Sequence, residues 1–169
     1  MSAPLKKALG LDLLFMALLT LLDQAAKVLA AGALQGGRSI PLIPGVLEFY
    51  YIENRGAAFG ILQNARVFFL LITAAAMALI LYGLFRCPLN RRYRPVRVLL
   101  VLIGAGALGN VIDRAFLSYV RDFIYFSLID FPVFNVADIY VTCATFLLVL
   151  LVLFYYREED DFDWLSRKK

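Results

Sequence analysis

Hydrophobic positions in this chain run in long unbroken blocks rather than alternating. Four blocks approach the roughly 20 residues that cross hydrocarbon as a helix. They cover Leu9–Ala31, Val67–Phe85, Val96–Ile112 and Ala137–Tyr156. The third is the shortest and is rich in glycine. The pattern predicts an all-α membrane protein of four transmembrane helices, a single membrane domain over residues 1–169. The external segments are 35–66 and 113–136. In the first, Pro41 to Gly45 signals a turn, and Val46–Ile52 is β-branched and aromatic, which predicts a strand. Asn54-Arg55-Gly56 follows as a turn. Phe49, Tyr50, Tyr51 and Phe59 suit the headgroup region. The second segment carries Phe116, Tyr119, Phe123, Tyr125, Phe126, Phe131 and Phe134 mixed with Arg121, Asp122 and Asp130. That mixture predicts an interfacial helix, or a half-buried loop, lying flat at the membrane surface. Pro132 ends any helix before it.

Composition supports the membrane reading. The 169 residues are 62% hydrophobic, where soluble domains are about half apolar, and mean hydropathy is +0.78. Lys6 and Lys7 precede span one. Arg86, Arg91, Arg92, Arg94 and Arg97 crowd the link between spans two and three, and Arg157, Arg167, Lys168 and Lys169 follow span four. With four spans these sets share one side, and the positive-inside rule makes that side cytoplasmic. Both termini are then cytoplasmic, and the net charge of +4 reflects topology, not nucleic-acid binding. The small residues at Ala31-Gly32-Ala33 resemble a signal-peptide cleavage site, but Asp12, Asp23 and Lys27 interrupt the preceding apolar core and fit a retained helix. The tail, with its acidic run Glu158–Asp161, is expected to be a solvated end. No repeat or low-complexity segment is evident.

Several chemistries lose their usual residues. The chain has no histidine and two cysteines. Cys87 and Cys143 fall at different depths, too far apart for a disulfide. Zinc, haem and Ser-His catalysis therefore lack their usual ligands or base. Gly104, Gly106 and Gly109 spell G-x-G-x-x-G, but a dinucleotide site needs a strand before its glycines. Inside a membrane span they allow close helix packing.

What remains is acidic and amide chemistry gathered at the external end: Asp23, Lys27, Asn54, Asn110, Asp113, Arg114, Asp122, Asn135 and Asp138. Each has a plain structural reading. Asp23 and Lys27, four apart, share a helix face and can pair, or Lys27 can snorkel toward the interface. Asp113 and Arg114 can mark a span end, Asn54 can shape its turn, and Asn110 can bridge helices. Asn135 followed by Asp138 looks like an N-cap with an acidic third residue. Asp122, set between Tyr119-Val120 and Phe123-Ile124, is harder to explain structurally. Two carboxyls brought together in apolar surroundings cannot both ionise easily. One then holds a proton while the other acts as base, the arrangement an aspartic peptidase uses on water.

The order of motifs resembles that of the lipoprotein signal peptidases, signal peptidase II. Asp23-x-x-x-Lys27 is similar to the family's first motif, and Asn54-Arg-Gly56-Ala-Ala-Phe59-Gly60 to its second. Gly106-Ala-Leu-Gly109-Asn110-Val-Ile-Asp113-Arg114 resembles the third. Val120-Arg-Asp122-Phe123 and Phe134-Asn135-Val-Ala137-Asp138 resemble the two that carry catalytic aspartates. Ala26 stands where Ser or Thr is frequent, and Ala105 where a second glycine is common. The resemblance implies an aspartic endopeptidase of the bacterial inner membrane that cuts before the diacylglyceryl-modified cysteine of prolipoproteins. It implies a small external β-element and a mobile periplasmic helix. It makes Asp122 and Asp138 the dyad, with Asn54, Gly56, Asn110, Arg114, Asn135, Asp23 and Lys27 in support. It implies neither a metal nor a cofactor; its partners are lipid-modified prolipoprotein substrates and membrane lipids, and a monomer is expected. The main rival is a transporter using intramembrane carboxylates, which predicts polar residues spread through the bilayer instead of collected at one end; a second is a noncatalytic membrane scaffold whose glycines and acidic caps are structure only.

Overall fold

The computed structural model describes residues 1–56, 65–158 and 161–166. Phe59 and Gly60 of the second motif, part of the acidic run and the terminal Arg167, Lys168 and Lys169 lie outside them. Four helices, α1 (Ala3–Leu34), α2 (Arg66–Arg86), α3 (Arg94–Phe116) and α4 (Val136–Phe154), are long and apolar enough to cross a membrane. Strands β1 (Ser39–Ile43), β2 (Leu47–Asn54) and β3 (Val120–Tyr125) form an antiparallel sheet in that order at one end of the bundle. A four-residue helix, α5 (Asp163–Ser166), lies at the other. The chain is a multi-pass membrane protein with the predicted spans, each extended or trimmed by a few residues at its ends.

Helix α3 packs against α1, α2 and α4, and its glycines explain how. A β-carbon on Gly104 would strike Met16 of α1, one on Gly106 would strike the Ala137 carbonyl of α4, and one on Gly109 would strike the Asp23 carboxylate. The close-packing reading of these glycines therefore holds. Around them Met16, Ile80, Leu84, Val101 and Ala105 form one buried hydrophobic cluster. Leu14, Phe15, Leu71, Leu79, Phe146 and Leu153 face outward, as helices surrounded by hydrocarbon require.

The second inter-span segment differs from expectation. Where a flat-lying helix or half-buried loop was expected, residues 120–125 add a third strand, and the only helical turn described there is a 3-10 turn, Ser127–Ile129. The physical reason is local. Val-Arg-Asp-Phe-Ile-Tyr is rich in β-formers, and β2 offers it an open edge, pairing Ile52 with Asp122 and Asn54 with Val120. The strand after the first turn is also longer than predicted, reaching Asn54. Phe134 bridges back to Ile124, with hydrogen bonds of 3.0 Å from the Phe123 amide to the Phe134 carbonyl and from the Phe134 amide to the Ile124 carbonyl. This bridge brings the start of α4 beside β3.

The described part of the tail is docked, not solvated. Asp161 is 2% exposed and accepts two 2.8 Å hydrogen bonds from the Arg92 guanidinium. Tyr93 and Tyr156 stack with ring centroids 5.3 Å apart. Nearby, Arg97 donates to the Leu84 and Cys87 carbonyls at 2.8 and 3.2 Å and pairs with Asp12 of α1. Cys87 is buried and Cys143 exposed, and both are free thiols.

Candidate active site

Asn135 organises the sheet end. It caps α4: its Oδ1 accepts from the Asp138 amide at 3.0 Å, and its own amide donates to Asp138 Oδ2 at 3.1 Å. The sequence-level N-cap reading is thus correct. The same side chain, fully buried, turns its Nδ2 to Asp122 Oδ1 at 2.6 Å and to Asn110 Oδ1 at 3.2 Å. Cap and site are one structure, and Asn135 joins the two aspartates covalently distant in the chain.

Asp122 comes from β3 and is 2% exposed. Its other oxygen, Oδ2, accepts from Asn54 Nδ2 at 2.8 Å. Asn54 Oδ1 in turn accepts from the Gly56 amide at 3.0 Å, so the predicted turn forms and also aims Asn54 at Asp122. Asp138 Oδ1 accepts from Asn110 Nδ2 at 2.8 Å. Burial pushes the Asp122 carboxyl up to about 7, Asp138's negative charge adds to this, and the amides of Asn54 and Asn135 oppose it. A carboxyl in this state gains or loses its proton near neutral pH.

Both aspartates open onto one cavity of about 420 Å³, shared with Asn54, Asn110 and Arg114 on its polar side and with Phe131, Phe134 and Ile139 on its apolar side. Arg114 donates to the Gly56 carbonyl at 3.0 Å and lies 4.4 Å from the Phe69 ring centre. Gly56, buried, thus ties the turn to α3. Behind the cavity sits a dry ionic frame. Lys27 is fully buried, so it does not snorkel. It pairs with Asp23 at 2.8 Å, as the spacing predicted, and lies 3.7 Å from Asp113. Its ammonium also donates to Asn110 Oδ1 at 2.8 Å, which leaves the Asn110 amide nitrogen facing Asp138. Asp23 accepts from the Ala137 amide at 2.8 Å, fixing the first turn of α4.

Two further residues join this frame and had no role in the sequence reading: Gln24 and Arg121. Arg121 grips Asp113 through Nε at 3.2 Å and Nη2 at 2.6 Å and reaches Gln24 Oε1 at 2.8 Å. A strand assignment for 120–125 would have exposed Arg121, because alternation puts it on the face opposite Asp122. Among the described residues no three acidic or thiol side chains group to hold a metal ion.

Comparison with known proteins adds the context. Residues 15–154 match the family described as signal peptidase (SPase) II. The chain is 38% identical over 150 residues to the lipoprotein signal peptidase of Streptococcus pyogenes serotype M5 (strain Manfredo), covering 89% of this chain and 95% of that protein. The lipoprotein signal peptidase of serotype M3 (strain SSI-1) is 37% identical over the same shares. Two solved structures, each described as a bacterial membrane enzyme determined by the in meso method, superpose well. One, at 2.3 Å resolution, gives a TM-score of 0.77 and 31% identity over 89% of this chain and 93% of its own. The other, at 1.9 Å, gives 0.74 and 33% over 86% and 94%.

Proposed function

Because the chain belongs to the signal peptidase II family, we propose that it is an aspartic endopeptidase of the bacterial inner membrane that removes signal peptides from prolipoproteins. The cut falls before the diacylglyceryl-modified cysteine. The observation that carries this reading is the meeting of Asp122 and Asp138, from separate elements, on one cavity with Asn135 between them.

The pair shares one proton at neutral pH. Asp122, wholly buried in the sheet face, holds it. Asp138 lies in the first turn of α4, where helix amides favour negative charge, and faces the Asn110 and Asn135 N–H groups. Asp138 takes a proton from water as the oxygen attacks the amide carbon. Asp122 donates its proton to the carbonyl oxygen, so no full oxyanion forms. Collapse of the tetrahedral species returns a proton to Asp122, breaks the C–N bond, and passes the Asp138 proton to the leaving nitrogen. Arg114 and Asn54 hold the substrate backbone, and the apolar wall of Phe131, Phe134 and Ile139 receives the lipid-bearing segment. The basic side of the bundle is cytoplasmic, so both termini are inside and the cavity is periplasmic. A lipid-anchored precursor then presents its cleavage bond at the depth of the dyad.

Asp122→Asn and Asp138→Asn, made separately, are expected to lower cleavage of a diacylglyceryl-modified precursor at least about a hundredfold, the usual scale of general acid–base catalysis. Membrane insertion and melting temperature should be kept. Processing at the normal rate by either variant would overturn the assignment.

A further inference from the structure

We propose that Arg121 is a positioning residue for the peptidase reaction, acting through Asp113 and Gln24 to fix where Asp122 presents its carboxyl. The inference rests on the aspartic-peptidase reading above and extends it to a residue that reading does not use.

Successive side chains of a strand point to opposite faces. Val120 and Asp122 both line the cavity, so Arg121 between them points away, toward α1 and α3. There its side chain is 13% exposed and meets Asp113, which is fully buried. Three N–H groups of this one residue converge on neighbours in the helices. The backbone amide donates to Asp113 Oδ2 at 3.0 Å, Nε to the same oxygen at 3.2 Å, and Nη2 to Asp113 Oδ1 at 2.6 Å. Nη2 also reaches Gln24 Oε1 at 2.8 Å. Gln24 closes the ring, donating from Nε2 to the Gly109 carbonyl at 2.9 Å and to Asp113 Oδ1 at 3.2 Å.

The backbone contact makes this more than charge neutralisation. It pins the Val120–Arg121 peptide, one residue ahead of Asp122, whose Cα is only about 3.8 Å from that of Arg121. The pinning point also sits where it matters. Asp113 lies three residues, about 4.5 Å along the helix axis, beyond Asn110, the side chain that holds Asp138. Helix α3 therefore carries both references: Asn110 for Asp138 and Asp113 for the strand bearing Asp122. The irregular β2–β3 pairing between Phe49 and Ile52 leaves the sheet ladder less able to set the Asp122 position alone. A guanidinium suits the task because its planar fork engages two carboxylate oxygens at once, which an ammonium cannot reproduce.

The test compares Arg121→Lys, which keeps the buried charge but loses the fork, with Gln24→Met, which keeps the Arg121–Asp113 pair and removes its support. Both are assayed in detergent on a diacylglyceryl-modified precursor peptide, with kcat, KM and melting temperature measured for each. Arg121→Lys should lower kcat roughly tenfold to a hundredfold, the penalty of a displacement up to about 1 Å, with KM changed less than about twofold. Gln24→Met should lower kcat by about threefold, with the melting temperature near that of the parent. Should Arg121→Lys not fold, Gln24→Met alone decides the matter. Wild-type kcat in the folded variants would overturn the proposal, as would losses that only track the fraction folded. The two readings fail differently: an active Asp122→Asn enzyme defeats the dyad, whereas a dead Asp122→Asn enzyme beside a fully active Arg121→Lys defeats only the positioning role.

Discussion

Both ends of the helical bundle bury charge, yet they bury it in opposite ways. At the tail end the buried charged groups among the described residues are spent on structure: Asp161 is held by Arg92, and Arg97 by Asp12 and two backbone carbonyls. Stacked Tyr93 and Tyr156 seal the tail contact. At the sheet end the ionic frame of Asp23, Lys27, Asp113 and Arg121 is equally dry, but it stops one layer short. The next layer is three asparagines, and beyond them two carboxyls open onto a cavity. Burying a charge is costly unless it is paired. The tail end resolves that cost by pairing, and the sheet end converts it into a carboxyl that titrates near neutrality. Buried charge therefore marks chemistry only where its last member faces open space.

The contrast can be broken from either side. The dyad replacements are its largest expected effect, a loss of rate without loss of fold. Next comes Gly109→Ala. Its methyl would collide with the Asp23 carboxylate and push it off the Ala137 amide and Lys27. Overpacking of this kind costs about 1–3 kcal/mol, read as a lower melting temperature in detergent together with lost activity, because that carboxylate also holds the first turn of α4, which carries Asp138. The smallest effect is at the tail end. Asp161→Asn should lower the melting temperature slightly and leave the cleavage rate per folded molecule unchanged. Arg92 holds the Asp161 carboxyl down at about 2. Its contribution to stability is therefore present above about pH 4, the ordinary carboxylate range, and is lost as pH falls through about 2. A melting series from pH 5 to pH 2 should show parent and variant converging at the acid end.

Much of this was legible in the sequence because it depends on single segments. Span lengths follow from unbroken apolar runs, the Asp23–Lys27 pair from helical spacing, and the α4 cap from Asn135 and Asp138. What escaped depends on faces meeting across the fold. Lys27 was given the interface as an option because a lysine near a span end ordinarily reaches water. Here Asp23, Asn110 and Asp113 surround it instead, and only tertiary packing collects those three. The segment 114–136 looked suited to an interfacial helix or a half-buried loop because its aromatics are dense, but the open edge of β2 recruits residues 120–125 as a strand. Missing that strand hid Arg121, whose role depends on which face alternation gives it. The cap and the site at Asn135 were weighed as alternatives, and the structure makes them the same contacts.

The central claim is that one proton sits on the buried carboxyl pair at neutral pH. Infrared difference spectroscopy of the detergent-solubilised protein reads protonated carboxyl groups directly. Burial and the Asp138 charge raise Asp122 to about 7, so its neutral form is present below that pH and disappears as pH rises through it. A carboxylic-acid band is expected at pH 6, fading by pH 8 and missing from Asp122→Asn at both. A band unchanged by that substitution, or none at pH 6, would contradict that claim.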